Sequence, residues 1–191
     1  TDNTITKIIN NPKGLVIGDI RYSRNIFSFR WTNEEREAIG LYEIVIDNSN
    51  KKDEKYYTNT NQSLNFADGV ATASFGSATA KALDDVTDED DNVTLGLKTK
   101  HKETIKRQAS GLLAPTDWYV IKATDVESYS VPSAVTTYRA NVRTKSNEME
   151  TAIDNAADVD ALAALYEYVN TGTEENPVME RPLGEWPELE V

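Results

Sequence analysis

The first 83 residues alternate apolar and polar positions in short runs that are typical of β-strands. Phe27, Phe29 and Trp31 occupy every second position, and this alternation predicts a half-buried strand. Residues 41–46, Leu-Tyr-Glu-Ile-Val-Ile, form a β-branched and aromatic run that predicts a second strand. We therefore expect a β-rich N-terminal part.

A short helix is predicted between these two strands, over residues 32–40. Thr32 is suited to the N-cap, and Glu35 stands three residues later, where it completes a capping box. Asn33 is an alternative N-cap. Gly40 follows as a helix stop.

The strongest local signal is the pair Asp68-Gly69 between two strand-like runs, residues 63–66 and 70–75. Both turn residues tolerate a positive φ, which the tight turns of β-hairpins require. The pattern predicts a hairpin. The polar residues 48–61 upstream of it are interpreted as a long connection.

The second half of the chain changes to the helical period. A first helix is predicted over residues 97–113, with Gly111 near its end and Pro115 just beyond. A second is predicted to begin after Pro132-Ser133 and to run to about Asn155. Asp158 then caps a third predicted helix, Val159 to Val169. The apolar faces of the first two helices comprise Leu97, His101, Ile105, Ala109 and Leu112, and then Val135, Tyr138, Val142, Met149, Ala152 and Ile153.

Between the first two helices, the apolar residues 117–122 are interpreted as a short strand or a buried crossing. Trp31 and Trp118 are expected to be core anchors, because each closes an apolar run. The proline-rich tail contains Trp186, which is interpreted either as a lid on the helical core or as an interface anchor.

These elements predict an α+β chain with a β-rich N-terminal part and a helical part of about three helices. We divide it into a β-rich part (1–83), an acidic connector (84–94) and a helical part with an irregular tail (95–191). Residues 84–91 hold six acids in eight positions. They are interpreted as a solvated loop, with a divalent-cation site as the alternative.

Composition removes several function classes. The net charge of −12 disfavours binding to a phosphate backbone, and no apolar run is long enough to cross a membrane. Cysteine is absent and there is one histidine, His101, beside three lysines, which we interpret as a helix-face residue. No nucleotide-binding or nucleophile-elbow motif occurs. We expect a chain that is not an enzyme and has no cofactor, no metal, no nucleic-acid partner and no membrane span.

The charge is strongly polarised along the second half. Residues 98–145 hold nine Lys and Arg against four Asp and Glu, whereas residues 146–191 hold one against twelve. Two interpretations remain open. Acidic and basic helices lie alongside each other within one chain, or the two regions steer a head-to-tail or partner contact.

Several segments resemble those of a known family. Leu112 to Trp118 (LLAPTDW) is similar to the Leu-Leu-x-x-(Ser/Thr)-Asp-Trp signature of bacteriophage tail-fibre and tail-fibre-assembly proteins. Tyr138 to Arg143 (YRANVR) matches the helix start that follows it in that family. Residues 181–187 match its proline-flanked tryptophan, and the strand at 38–45 precedes an Asp-Gly hairpin in the same order. The chain also resembles virion proteins of marine tailed phages that infect cyanobacteria.

The resemblance implies a structural protein of the tail or its fibres, made in the host cytoplasm and retained in the virion. It also implies virion-protein partners and a homo-oligomer, often a trimer. The alternatives are a tail-fibre assembly chaperone, a host-surface carbohydrate-binding module using Tyr56, Tyr57 and Trp186, and a cation-dependent hydrolase using the acids at 84–91. The signature residues, expected to act as fold or interaction residues and not as an active site, are Asp117, Trp118, Tyr138, Arg139, Arg143 and Trp186.

Overall fold

The chain has a mixed α+β architecture, with helices concentrated in its second half. The computed structural model describes residues 4–10 and 13–190. It packs as two compact units, Thr1–Thr79 and Ala80–Val191. The prediction of an α+β chain with a β-rich first part is confirmed.

The first unit is built from short strands around one three-stranded sheet. In that sheet β6 lies in the middle, with β3 parallel to it on one side and β5 antiparallel on the other. Ala71 and Ala73 of β6 are buried. The strands are β1 (Leu15–Ile17), β2 (Ile20–Tyr22), β3 (Ile44–Asp47), β4 (Tyr57–Thr58), β5 (Gln62–Ala67) and β6 (Val70–Phe75), and β7 (Thr79–Ala80) spans the boundary of the unit.

The predicted hairpin is confirmed. Strands β5 and β6 pair over six residues each, from Gln62 opposite Phe75 to Ala67 opposite Val70. Asp68 has a φ of 51° and Gly69 a φ of 78°. Both values lie in the left-handed region, and the Asp-Gly pair predicts such a turn for this reason.

Replacing Gly69 with alanine is expected to destabilise this hairpin by about 1 kcal/mol, because a side chain at a positive φ is strained. An added Cβ would meet no atom within 4 Å, so the cost is conformational and not steric. Hydrogen exchange of residues 62–75, measured by mass spectrometry, should become about fivefold faster. Gly69→Asn is the matched control, since asparagine tolerates this conformation. Equal effects of both substitutions would contradict the explanation.

The short helix α1 (Asn33–Glu37) confirms the predicted capping box. The Thr32 hydroxyl accepts a hydrogen bond from the Glu35 N–H, and the Glu35 carboxylate accepts one from the Thr32 N–H. The strand predicted from Leu41 is confirmed only over its second half, as β3.

The strand predicted through Phe27, Phe29 and Trp31 is wrong. A short 3₁₀ helix, Arg24–Phe27, stands at its start and buries Ile26. Phe29 is 96% exposed, so the alternating aromatic residues do not share a buried face. The Ser28 hydroxyl donates a hydrogen bond to the Asn25 carbonyl. Such side chain–backbone bonds stabilise turns in competition with a strand.

Helices form most of the second unit. The long helices are α2 (Leu97–Leu113) and α4 (Ser133–Asp154), which pack against each other. The shorter ones are α3 (Asp117–Asp125) and α5 (Val159–Ala164). Two small antiparallel hairpins complete the unit, one from β8 (Val86–Thr87) and β9 (Val93–Thr94), the other from β10 (Val169–Asn170) and β11 (Met179–Glu180). No helix in the described ranges is long and apolar enough to cross a membrane.

The predicted apolar stripes of α2 and α4 form the core of this unit. The stripe residues that are buried are Leu97, Ile105, Ala109, Val135, Tyr138, Val142, Met149 and Ile153, joined by Leu162 of α5.

Asp158 caps α5 as predicted and accepts a hydrogen bond from the Ala161 N–H at 2.7 Å. Helix α5 ends at Ala164, before the predicted Val169.

The strand or buried crossing predicted at residues 117–122 is wrong, because these residues form helix α3. Short apolar runs fit both a strand and a helix, so periodicity could not decide between them. Trp118 lies on α3 with 49% of its surface exposed, which corrects its expected role as a core anchor. Trp31 is half-buried and packs edge-on against Tyr22.

Candidate functional site

The signature residues meet where α2 ends and α3 begins. Pro115 stands in a 3₁₀ turn, Ala114–Thr116, which joins the two helices. The Thr116 hydroxyl is buried there and donates a hydrogen bond to the Leu113 carbonyl at 2.7 Å. The turn leaves carbonyl groups of the last turn of α2 available to donors from another helix.

Arg139 of α4 supplies such a donor. Its Nη1 lies 3.0 Å from the Leu113 carbonyl oxygen, 2.6 Å from the Thr116 hydroxyl and 2.7 Å from the Asp117 carboxylate. The side chain of Arg139 is only 12% exposed, whereas Asp117 remains about half exposed. A single guanidinium therefore connects the end of α2, the turn and the start of α3.

Tyr138, the neighbour of Arg139, holds the same helix end from the core side. Its hydroxyl donates a hydrogen bond to the Leu112 carbonyl at 3.3 Å. Its ring is buried with Ala109 and Val142. The Tyr-Arg pair thus binds two consecutive carbonyls at the end of α2. We call these contacts of Tyr138 and Arg139 the helix-end clamp.

Arg143 does not take part in the helix-end clamp. It is exposed, and its Nη1 donates to the Arg139 carbonyl one turn earlier in α4, at 3.2 Å. Arg139 and Arg143 both belong to the signature residues and lie one turn apart in α4. Only Arg139 contacts Asp117.

Trp118 lies on the exposed side of α3. Its ring centroid is 3.9 Å from that of Tyr119, and the Lys122 ammonium lies 5.6 Å from the centroid of the indole. The same ammonium lies 4.3 Å from the ring centroid of Tyr129. Trp118 is therefore not the core anchor that the sequence predicted, and α3 carries an aromatic surface with a cation over it.

Trp186 is half-buried and packs against the cluster of Ala109, Tyr138 and Val142. Its indole Nε1 donates to the Gln108 side chain at 3.2 Å. This position corresponds to the lid interpretation. The sequence interpretation missed Leu183, which is buried beside it in the chain, since an irregular tail has no apolar period that would mark its buried residues.

The acids at 84–91 are engaged in local structure. Asp85 accepts a hydrogen bond from the Gly96 N–H, and Asp88 accepts from the N–H groups of Asp90 and Asn92. Hydrogen bonds to its carboxylate lower the pKa of Asp85 below its ordinary value. The bond from the Gly96 N–H has the largest effect, and the bond from the Thr99 side chain has the next largest. Within residues 4–10 and 13–190, no group of three or more His, Cys, Asp or Glu could hold a metal ion.

The residues of the carbohydrate-binding alternative do not present open aromatic rings. Tyr56 is buried, and Tyr57 is half-buried in β4 with the Lys52 ammonium 5.3 Å from its ring centroid. Trp186 packs against the buried cluster of Ala109, Tyr138 and Val142. An aromatic face that stacks on a sugar has to be accessible.

Acidic and basic groups of the two long helices lie alongside each other. Lys102 of α2 forms an ion pair with Asp154 of α4 at 2.7 Å, and Lys106 forms one with Glu150 at 3.4 Å. His101 of α2 is half-buried, with its Nδ1 2.7 Å from the Tyr166 hydroxyl. The intramolecular interpretation of the charge pattern therefore accounts for part of the basic stretch.

Comparisons with known proteins give no relative that would name the family. No protein-family model matches the chain. The search of curated proteins finds no match, and neither does the search of solved structures.

Proposed function

We propose that the chain is a structural component of a tailed-phage virion, in the tail or its fibres, where it acts through protein–protein contacts and not as an enzyme. The proposal starts from the resemblance of segments that follow one another in the same order from residues 38–45 to the tryptophan at 186. It includes other virion proteins and further copies of the chain as partners.

The observation that carries the proposal is the convergence of the signature residues. Arg139 and Asp117 are separated by 21 intervening residues, yet they meet at 2.7 Å around one helix end, with Tyr138 bonded to the same helix. A motif whose members serve only to fix two helices is expected of a fold signature. A catalytic signature would instead direct its polar groups towards a bound substrate.

The surface around this clamp supports an assembly role. Trp118, Val120 and Ile121 are exposed on α3 directly after the clamped turn. Aromatic and aliphatic side chains that remain exposed on a rigid helix are typical of protein–protein contacts. The clamp keeps the start of α3 fixed, so these side chains are presented in one arrangement.

Mass spectrometry of virions purified on a density gradient tests the proposal. The virions are those of the phage that encodes the chain, and its peptides are quantified against those of the major tail proteins. We expect the chain in particles at a constant ratio to these proteins. A chain that is abundant in the infected lysate but absent from particles would contradict the proposal and favour the assembly chaperone.

A further inference from the structure

The hairpin of β10 and β11 belongs to a segment, residues 167–180, in which every residue is exposed. We call it the acidic arm. Val169 pairs with Glu180, and Asn170 pairs with Met179, so Val169 and Met179 lie on opposite faces of the hairpin. Both are exposed, as are Tyr168 and Val178. An isolated two-stranded hairpin is marginally stable in water. A partner surface that packs against its exposed apolar side chains would stabilise it.

The arm is also uniformly acidic. It contains Glu167, Glu174, Glu175 and Glu180 and no Lys or Arg. At its base the Tyr168 hydroxyl donates to the Glu185 carboxylate at 2.7 Å. Its charge and its exposed apolar side chains together define the chemistry of a matching surface, which has to be basic and apolar.

The first unit contains a segment of this kind, residues 13–30, which we call the basic segment. It contains Lys13, Arg21, Arg24 and Arg30 against one acid, Asp19. The four basic side chains belong to exposed residues, and none of them forms an ion pair within the described part of the chain. Their charges are therefore available to a partner.

The basic segment also exposes large apolar side chains. Val16 and Ile20 are exposed on the β1–β2 hairpin, and Phe29 is 96% exposed just beyond it. An almost fully exposed phenylalanine among arginines is suited to a partner that offers both apolar contact and carboxylates.

We propose that the acidic arm of one copy of the chain docks on the basic segment of a second copy. The inference names a partner for the proposed assembly role and rests on that role. Because the two surfaces differ, the contact is heterologous, and it either closes into a ring or continues as a filament. Phe29 and Met179 are its central apolar residues, and the arginines face the glutamates around them.

The charge of the whole chain opposes this association, since two copies each carry −12. The attraction between the glutamates of the acidic arm and the arginines of the basic segment acts over a short range, because the screening length at physiological ionic strength is about 8 Å. Added salt should therefore weaken the contact through its local ion pairs, by about tenfold or more between low and high ionic strength.

Two complementary variants test the contact. Phe29→Asp blocks the basic segment and leaves the arm intact, whereas Met179→Asp blocks the arm and leaves the basic segment intact. Size-exclusion chromatography with light scattering should show oligomers for the wild-type chain and monomers for each variant alone. The mixture should give dimers and nothing larger, because each pair retains one functional contact.

A charge exchange provides the second measurement. Arg21→Glu with Arg24→Glu should weaken association about tenfold or more. Mixing this variant with a second copy that carries Glu174→Lys and Glu175→Lys should restore the association. Val93→Asp is the control for a charge placed on an equally exposed apolar residue, in β9, and it should leave association unchanged.

A wild-type chain that is monomeric at physiological ionic strength would overturn the contact. So would oligomers that persist in both blocked variants, or a charge exchange without rescue. Each of these results leaves the virion measurement unaffected, so failure of the contact and failure of the proposed function can be distinguished.

Discussion

Replacing Gly96 with alanine should destabilise the second unit by about 3 kcal/mol. Gly96 precedes the first residue of α2 and lies against the chain segment that crosses this helix end. A Cβ at this position would lie 2.6 Å from the carbonyl oxygen of Leu83 and closer still to the carbonyl group of Asp84. Real Cβ atoms do not approach backbone atoms so closely, so one of the two segments would have to move.

Movement is costly because hydrogen bonds hold the two segments together. The N–H groups of Leu97 and Lys98 donate to the carbonyls of Ala82 and Leu83, at 3.0 and 2.9 Å. The Gly96 N–H donates to the Asp85 carboxylate at 2.7 Å. These bonds satisfy N–H groups at the start of α2 that have no partner within the helix. Each bond contributes about 1 kcal/mol, so a shift that loses two or three of them accounts for the predicted cost.

Gly111→Ala is the matched control, with an expected effect of opposite sign. Gly111 lies inside α2, where an added Cβ would meet no atom within 4 Å. Alanine is favoured over glycine in a helix, so this variant should be more stable by about 0.5–1 kcal/mol.

Urea denaturation followed by tryptophan fluorescence measures both variants. A Trp31→Phe background leaves Trp118 and Trp186 as the fluorophores, and both belong to the second unit. Similar free energies of unfolding for Gly96→Ala and Gly111→Ala would contradict the steric explanation.

The parts of the fold that could be predicted from the sequence are those in which burial follows a regular period. Helices α2 and α4 begin and end within one residue of their predicted bounds, because each has an apolar stripe that continues over several turns. The caps at Thr32 and Asp158 were predictable from local chemistry alone. Helix α3 could not be predicted, since its nine residues are too few to show a helical period of apolar positions and its apolar side chains face solvent as well as protein.

The side chains at the helix-end clamp were predictable, but the backbone groups that they bind were not. Tyr138, Arg139 and Asp117 stand out as side chains with a particular chemistry. Their partners at Leu112 and Leu113 are backbone carbonyls, which every residue has, so no sequence signal marks them. Trp118 was misplaced for a different reason. Aromatic residues are often buried, but a surface tryptophan can pack against a neighbouring ring and a lysine, as it does here.

Arg139→Ala should also cost about 3 kcal/mol, and the loss would come from the groups that the arginine leaves behind. The Leu113 carbonyl and the buried Thr116 hydroxyl would each lose a charged donor. The two groups keep the hydrogen bond that joins them at 2.7 Å. Each hydrogen bond from a charged donor contributes about 1.5–3 kcal/mol, and relaxation of the turn recovers part of the loss. The ion pair with Asp117 contributes less, because that carboxylate is about half exposed.

Two matched variants separate these contributions in the same urea experiment. Arg143→Ala removes an exposed arginine one turn away in α4, which bonds only to the Arg139 carbonyl in the described structure, and it should cost less than about 0.5 kcal/mol. Asp117→Asn removes the ion pair and retains the carbonyl and hydroxyl contacts of Arg139, so its cost should be about 1 kcal/mol or less. If Arg139→Ala costs no more than Asp117→Asn, the guanidinium contributes only as a surface charge. The convergence of the signature residues then no longer supports a fold signature, and the proposed function loses the observation that carries it.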